Sequence, residues 1–284
     1  MDFQLYFTLG LIAFVAIAAA AYGIRLWLSG RAHFSRVDKQ GGSALLGKSV
    51  MEGAYWFLQP FGRLLAFCHI TPNQISWASL FFGIVAGTSL AFGHFGSAAV
   101  FATISALLDS LDGMVARMTG VASDAGEVLD AAADRYVEFF FLAGLAVYYR
   151  EIPALLILAL VALIGSFMVS YSTAKAEALH VTPPKGNMRR PERALYLILG
   201  AALSPVTIPI FEEDRVFTIA IGHPMVFAIA LVAVMSNLSA IERLYAIAKE
   251  MRVREAKAAR DKMIAAAEAG AEGESPSEVP SRLR

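Results

Sequence analysis

Apolar runs long enough to cross a bilayer recur along most of this chain. The first is "FQLYFTLGLIAFVAIAAAAYGI", and six more follow at about 74–93, 97–119, 122–149, 152–178, 191–210 and 216–246. A hydrocarbon core about 30 Å thick needs roughly 20 apolar residues in helical form, so each run reads as a membrane helix. A chain with 57% hydrophobic residues and a mean hydropathy of +0.57 fits an all-α integral membrane protein. Its 24 basic and 24 acidic residues cancel, so there is no global charge to hold nucleic acid, and every charge argument is local. The single Cys68 excludes an internal disulfide and offers no zinc-ligand spacing.

The first run follows Asp2 and precedes Arg25, Arg31, Arg36 and Lys39. A cleaved signal peptide would start basic and carry a shorter apolar core, so the run reads as an anchoring helix. After it, "GGSALLGKSVMEGAYWFLQPFGRLLAFCHI" mixes Leu45, Leu46, Val50, Tyr55, Trp56, Leu64 and Leu65 with Lys48, Glu52 and Arg63. That mixture suits a helix lying at the headgroup level. "TPNQIS" then turns the chain, with Asn73 or Ser76 expected to cap the next helix.

The loops set the expected sidedness. "GHFG", "YYREIP" and "FEEDR" are poor in cations, whereas "PPKGNMRRPER" and the chain after Arg243 are basic. Alternation of basic ends places the amino terminus outside and the carboxyl terminus in the cytoplasm. The expected organisation is an anchor over 1–29, a linker and surface helix over 30–72, a six-helix membrane domain over 73–247, and a solvated helix with a disordered tail over 248–284.

Against that background stand Asp109, Asp112, Asp130 and Asp134, within "LLDSLDGMVARMTGVASDAGEVLDAAADRYVEFF". A carboxylate at the centre of a bilayer helix costs roughly 2.5–3.5 kcal/mol on the insertion scale, so four demand compensation. At about 100° per residue, Asp109, Asp112, Gly113, Ala116 and Arg117 share one helix face. Gly126, Asp130 and Asp134 share a face of the next helix, and "MTGVASDAG" supplies the turn between them. Facing carboxylates call for a hard cation such as Mg²⁺ or Mn²⁺, and paired ions clamp a phosphoryl displacement. Arg117 can fork onto a phosphate, and the small residues leave room for a nucleotide. On these residues alone, a metal-dependent phosphate-transfer enzyme and an ion-coupled transporter are both open.

The spacing D109-x2-D112-G113-x2-A116-R117-x8-G126-x3-D130-x3-D134 resembles the signature of the CDP-alcohol phosphotransferase (CDP-alcohol phosphatidyltransferase) family at every fixed position. The resemblance extends through "TPNQIS", "SYSTAKAEA" and "RRPER", over roughly residues 44 to 245. It implies six core helices with a cytoplasmic surface helix, usually as a homodimer, in the cell (inner) membrane. The N-terminal helix of this chain is then an extra one. It also implies a two-ion Mg²⁺ or Mn²⁺ centre on Asp109, Asp112, Asp130 and Asp134, with Asp134 doubling as general base. Metal neutralisation lowers a carboxylate's proton affinity, so the base role requires weak coordination of Asp134. Asp112, Gly113, Ala116, Arg117 and Gly126 would hold the nucleotide of CDP-diacylglycerol. An acceptor alcohol would attack the lipid-linked phosphorus and expel CMP.

Within the family, "S170-Y171-…-A176-E177" and "R190-P191-E192-R193" most resemble bacterial phosphatidylinositol-phosphate synthases, whose acceptor is itself phosphorylated. Arg135, Lys175, Arg190 and Arg193 are the cations expected around it. Two departures bear on the acceptor: Thr173 and Lys175 stand where those synthases carry basic residues including an Arg, and Arg189 stands where Glu is common. Lys is a poor geometric substitute for a forked Arg on phosphate. Inositol phosphate, glycerol 3-phosphate and another small alcohol all remain open as acceptors.

Overall fold

The structure is a computed structural model that describes residues 3–30, 47–182, 186, 188–211 and 223–273. The expected linker at 31–46, parts of the two polar loops (183–185, 187 and 212–222) and the tail after 273 lie outside the described residues. Among those described, eight helices form and no strand does. They are α1 (Phe3–Ser29), α2 (Lys48–Phe67), α3 (Pro72–Ala91), α4 (Phe95–Thr119), α5 (Asp124–Tyr148), α6 (Pro153–Ala178), α7 (Arg190–Phe211) and α8 (Pro224–Gly273).

Helices α3 to α8 close into a ring, each packed on two neighbours in the order α4, α3, α5, α6, α8, α7 and back to α4. Its core joins Leu90 of α3, Ala98 and Ala99 of α4, Leu142 and Leu145 of α5, Ala159 and Ala162 of α6, Ala201 of α7, and Ile229 and Val232 of α8, all almost fully buried. Helices α1 and α2 lie outside the ring against α4. Five helices are long and apolar enough to cross a bilayer: α1, α3, α4, α6 and the Pro224–Ala266 part of α8. Helix α5 falls short of that standard because of charge, carrying Asp124, Glu127, Asp130, Asp134, Arg135 and Glu138, whereas α7 confines Arg190, Glu192 and Arg193 to its first turn and runs on to Phe211 without a charged residue. Both take full places in the ring, where Asp134 and Glu138 pair with Arg190 and Arg193.

Lipid provides little hydrophobic drive between helices, so close backbone approach and interhelical hydrogen bonds must hold them together. At the α3–α5 crossing, a Cβ on Gly144 would sit 2.0 Å from the carbonyl oxygen of Gly87, and one on Gly87 would sit 2.2 Å from that of Phe140. Gly83, one turn before Gly87, faces the Val137 side chain, where an added Cβ would stand 2.7 Å from a methyl. The sequence is expected to lack a clean GxxxG packing signal, but Gly83 and Gly87 form one, and it packs inside the ring. Helices α3 and α4 are stitched by reciprocal bonds, Ser79 Oγ donating to the Ser105 carbonyl at 2.9 Å and Ser105 Oγ to that of Ser79 at 2.8 Å. By contrast, α4 and α5 hardly touch, although they are consecutive. The gap between them is the site.

Local signals set the helix ends around that gap. The cap of α3 is Thr71, not the expected Asn73 or Ser76: Thr71 Oγ1 accepts from Gln74 N at 3.3 Å and Gln74 Oε1 accepts from Thr71 N at 2.9 Å, a complete capping box. Gly120 ends α4 at φ 71°, a left-handed conformation that disfavours a side chain. Ser123 caps α5 by accepting the Gly126 N–H at 3.2 Å.

Overpacking a closed crossing costs about 1–3 kcal/mol or more. Gly144→Val should therefore lower the unfolding midpoint in detergent, while Gly126→Val, where the nearest atom to an added Cβ is Ser123 Oγ at 3.3 Å, should leave it close to wild type. Equal midpoints for the two variants would contradict the packing described.

Candidate active site

A cavity of about 820 Å³ opens between α4 and α5, floored by the first turns of α3 and walled on one side by α2. It gathers Asp109, Asp112, Gly113, Ala116, Arg117, Gly126 and Asp130, all expected from the sequence to share a site. Carboxylate oxygens of Asp109, Asp112 and Asp130 lie within 4.8 Å of one another. An all-oxygen set at that spacing fits a hard divalent cation and suits no softer metal. Arg117 is exposed at the mouth, in the last turn of α4, where a cation is also favoured by the helix dipole. An added Cβ at Gly126 would press on the capping Ser123 Oγ at 3.3 Å and meet Asn73 Oδ1 at 3.8 Å, so a glycine here keeps the cavity lining slim.

Asp134 touches Asp109 of that trio through a side-chain hydrogen bond but does not line the same cavity. It lines a smaller cavity of about 60 Å³ with Glu138 and Arg190, deeper between α4, α5 and α7. Arg190 joins the two regions. Its Nη1 and Nη2 donate to the two oxygens of Asp109 at 3.1 Å each, and Nη2 also pairs with Asp134 Oδ1. A residue expected at the acceptor thus rests on two of the four aspartates. The start of α7 aims it there: Glu192 Oε2 accepts the Arg189 backbone N–H at 2.7 Å, and Pro191 occupies a first-turn position whose missing N–H costs nothing.

One turn further along α7, Arg193 is 1% exposed and donates to both oxygens of Glu138 at 2.6 and 3.0 Å, and to the Met188 carbonyl at 3.4 Å. Expected as a contact for the acceptor, it is instead committed to this buried pair. Asp134 and Glu138, four residues apart on α5, therefore face Arg190 and Arg193, three apart on α7. The other two expected acceptor cations line neither cavity. Arg135 folds back onto the Ala131 carbonyl of its own helix, and Lys175 is exposed near the end of α6.

Several participants went unread in the sequence. Ser76, expected as a cap, donates from Oγ to Asp112 Oδ2 at 2.6 Å and fixes that carboxylate. Tyr55 of α2 reaches the cavity wall. Arg243 of α8 is 8% exposed, donates from Nη1 to Thr173 Oγ1 at 2.8 Å, and lies within electrostatic range of Arg189 and Arg193. A cation is thus present beside Thr173, supplied from another helix. The only sequence signal for it was an arginine at the end of the last apolar run, read there as a marker of sidedness.

An all-helical membrane ring with clustered carboxylates, a phosphate-ready arginine and a nucleotide-sized cavity defines a membrane phosphotransferase. The chain belongs to the CDP-alcohol phosphatidyltransferase family, whose profile matches residues 69–236, and is an enzyme that transfers a phosphatidyl group from a CDP-linked lipid. It is 32% identical over 185 residues to the phosphatidylinositol phosphate synthase of Corynebacterium glutamicum, covering 63% of this chain and 84% of that one. It is 30% identical over 199 residues to the archaetidylinositol phosphate synthase of Pyrococcus horikoshii, covering 69% and 93%. Among solved structures, it resembles Mycobacterium tuberculosis phosphatidylinositol phosphate synthase with CDP-DAG bound, at TM-score 0.56 and 26% identity over 66% of this chain and 92% of that one. The same synthase in complex with manganese and citrate matches at the same score and identity, over 66% and 87%.

Removing one partner of a buried pair leaves an uncompensated charge and costs about 3–5 kcal/mol. Glu138→Gln should accordingly destabilise the protein strongly in detergent unfolding, more than Glu127→Gln on the exposed first turn of the same helix. Similar losses for the two would remove the structural role assigned to the Arg193 pair.

Proposed function

We propose that this enzyme transfers the phosphatidyl group of CDP-diacylglycerol to a small, phosphate-bearing alcohol at the cytoplasmic face of the cell membrane, releasing CMP. The observation that carries the reading is the one cavity in which three carboxylates within 4.8 Å adjoin Arg117 and the small residues Gly113, Ala116 and Gly126. Relatives named as inositol phosphate synthases and a structural neighbour holding CDP-DAG support the donor and the class of acceptor. Basic loops at one end of the helices support the cytoplasmic placement, with the amino terminus outside. A homodimer belongs to the same reading, and its mass in detergent would check it. Family membership disfavours the ion-coupled transporter.

Asp109, Asp112 and Asp130 would hold divalent ions, with Asp134 sharing the second; the manganese complex of the related synthase supports a metal here. When bound, two Mg²⁺ or Mn²⁺ ions supply neutralising charge for the donor's diphosphate and the departing CMP. The remaining roles fall to the chain itself. Ser76 fixes Asp112, the small residues admit the nucleotide, and Arg117 forks onto a phosphate oxygen at the mouth. The acceptor hydroxyl forms its bond to the lipid-linked phosphorus as the bond from phosphorus to the CMP oxygen breaks. Asp134 takes the hydroxyl proton. Arg190 orients Asp134 and meets the incoming acceptor, whose own phosphate lies toward Arg243 and Arg189. Arg193, pinned by Glu138, keeps α7 in register. Arg135 and Lys175 act as outer cations that draw an anionic alcohol in.

Purified protein with CDP-diacylglycerol and Mg²⁺ or Mn²⁺ should release CMP only when an acceptor is added. Inositol 1-phosphate, glycerol 3-phosphate and inositol are tested separately. A chelator should abolish release, and Asp134→Asn should cut the rate by about 10² or more. Release that persists in chelator, or in Asp134→Asn, would sink the assigned chemistry.

A further inference from the structure

Helices α1 and α2 both precede the matched family region of residues 69–236, and the chemistry above uses no residue of either. Both nonetheless pack on α4: α1 leaves an apolar cavity of about 490 Å³ against the middle of α4, and its specific contacts lie along the way to α2. Helix α1 runs parallel to α4, starting where Gln4 Oε1 accepts the Ser97 N–H at 3.0 Å in the first turn of α4. Farther along, Phe14 meets Phe57 of α2 edge to face with ring centroids 5.6 Å apart. At the far end Tyr22, 9% exposed, lies on Gly53 of α2 so closely that a Cβ there would stand 2.9 Å from its ring. The Tyr22 hydroxyl donates a long bond of 3.5 Å to Glu52 Oε2, in a residue only 3% exposed. Its ring is 5.8 Å from that of Trp56, and Arg25 caps Trp56 with its guanidinium carbon 5.5 Å from the ring centroid.

Glu52, Gly53 and Trp56 share one face of α2, and Tyr55 projects roughly a third of a turn away from it. Tyr55 lines the cavity that contains Asp112, Gly113 and Arg117. The opposite side of α2 is seated on α4 through Leu58 and through Gly62, where a Cβ would meet Met114 Sδ at 2.8 Å. With α4 fixing its seat and α1 its rotation, α2 has one orientation in which Tyr55 reaches the cavity.

We propose that the extra N-terminal helix is a positioning strut for donor binding: Tyr22, wedged on Gly53, sets the rotation of α2 and so holds Tyr55 against the nucleotide of the CDP-linked lipid. Tyr22 is a positioning residue, because it acts through Tyr55 and touches no substrate. The inference rests on the nucleotide occupying the large cavity. Shape carries the wedge more than the hydroxyl, since the Gly53 contact is tight and the Glu52 bond is long.

The test uses the full-length chain in lipid nanodiscs and follows both equilibrium binding of CDP-diacylglycerol and steady-state CMP release. Tyr22→Ala should weaken donor binding and raise the donor KM about fivefold to tenfold, with kcat within about twofold and the acceptor KM unchanged. Tyr22→Phe should restore wild-type values. Tyr55→Ala should produce a comparable loss, and Tyr22→Ala added to it should cost nothing further, because the two act in series. Gly53→Val should mimic Tyr22→Ala by forcing the ring away. Donor binding by wild type that Tyr22→Ala leaves intact would overturn the strut alone, as would full additivity with Tyr55→Ala. A parallel fall in kcat and both KM values with a lowered unfolding midpoint would reduce α1 to a general scaffold and also overturn it. Absence of donor binding by the wild-type chain would overturn the transferase reading and the strut together.

Discussion

The bond on which the rest of the structure depends is the guanidinium of Arg190 laid across Asp109 and Asp134. Carboxylates on membrane helices are tolerated when a partner neutralises them, and here the partner comes from a helix distant in sequence. The bond spans 81 residues between Asp109 and Arg190, and its neighbour Arg193–Glu138 spans 55. Together they tie α7 to α4 and α5 across the ring. Helix α5, too charged to qualify as a span on composition, is held in the ring by the two arginines that open α7.

Those electrostatic ties work because the backbone frame around them is tight where it must be and loose where it must not. Gly87 against Gly144, and the paired hydroxyls of Ser79 and Ser105, bind α3 closely to both acidic helices. Helices α4 and α5 are thereby held beside a common support without packing on each other. Van der Waals contact and interhelical hydrogen bonds are the main sources of cohesion between helices in lipid, so concentrating them on α3 leaves the α4–α5 gap free for a ligand. Precision at a glycine crossing well away from the carboxylates thus sets how far apart the carboxylates stand.

Much of this was legible in the chain itself. The apolar runs mark the helices, and the spacing of Asp109, Asp112 and Asp130 with Arg117 and Gly126 marks the heart of the cavity, because helical periodicity converts fixed spacing into a shared face. What periodicity does not encode is which face meets which. Ser76 finds Asp112 36 residues away and Arg243 finds Thr173 70 residues away, and neither pairing leaves a local trace. The same blindness assigned Arg193 to an acceptor, when its partner Glu138 lies two turns beyond Asp130 on the same face of α5. At α3 the error was smaller and of another kind: Thr71, Asn73 and Ser76 all have capping side chains, and only the Gln74 partner three residues on selects Thr71.

The contrast between Arg190 and Arg193 shows how one short motif divides its labour. Both carry the same group on the same helix, one turn apart. Arg193 is enclosed and donates to Glu138 and the Met188 carbonyl, so releasing it would strand a buried charge. Arg190 retains about a third of its side-chain exposure, and both its carboxylate partners are themselves partly accessible, so exchanging one anionic partner for another costs far less. A guanidinium that must be exact in position yet free to change partners needs an immobile neighbour to hold its helix. The Glu138 pair provides that, one turn deeper, where no substrate has to reach. The wall at Tyr55 follows the same logic, since Tyr22 and Gly53 hold its helix from outside the cavity.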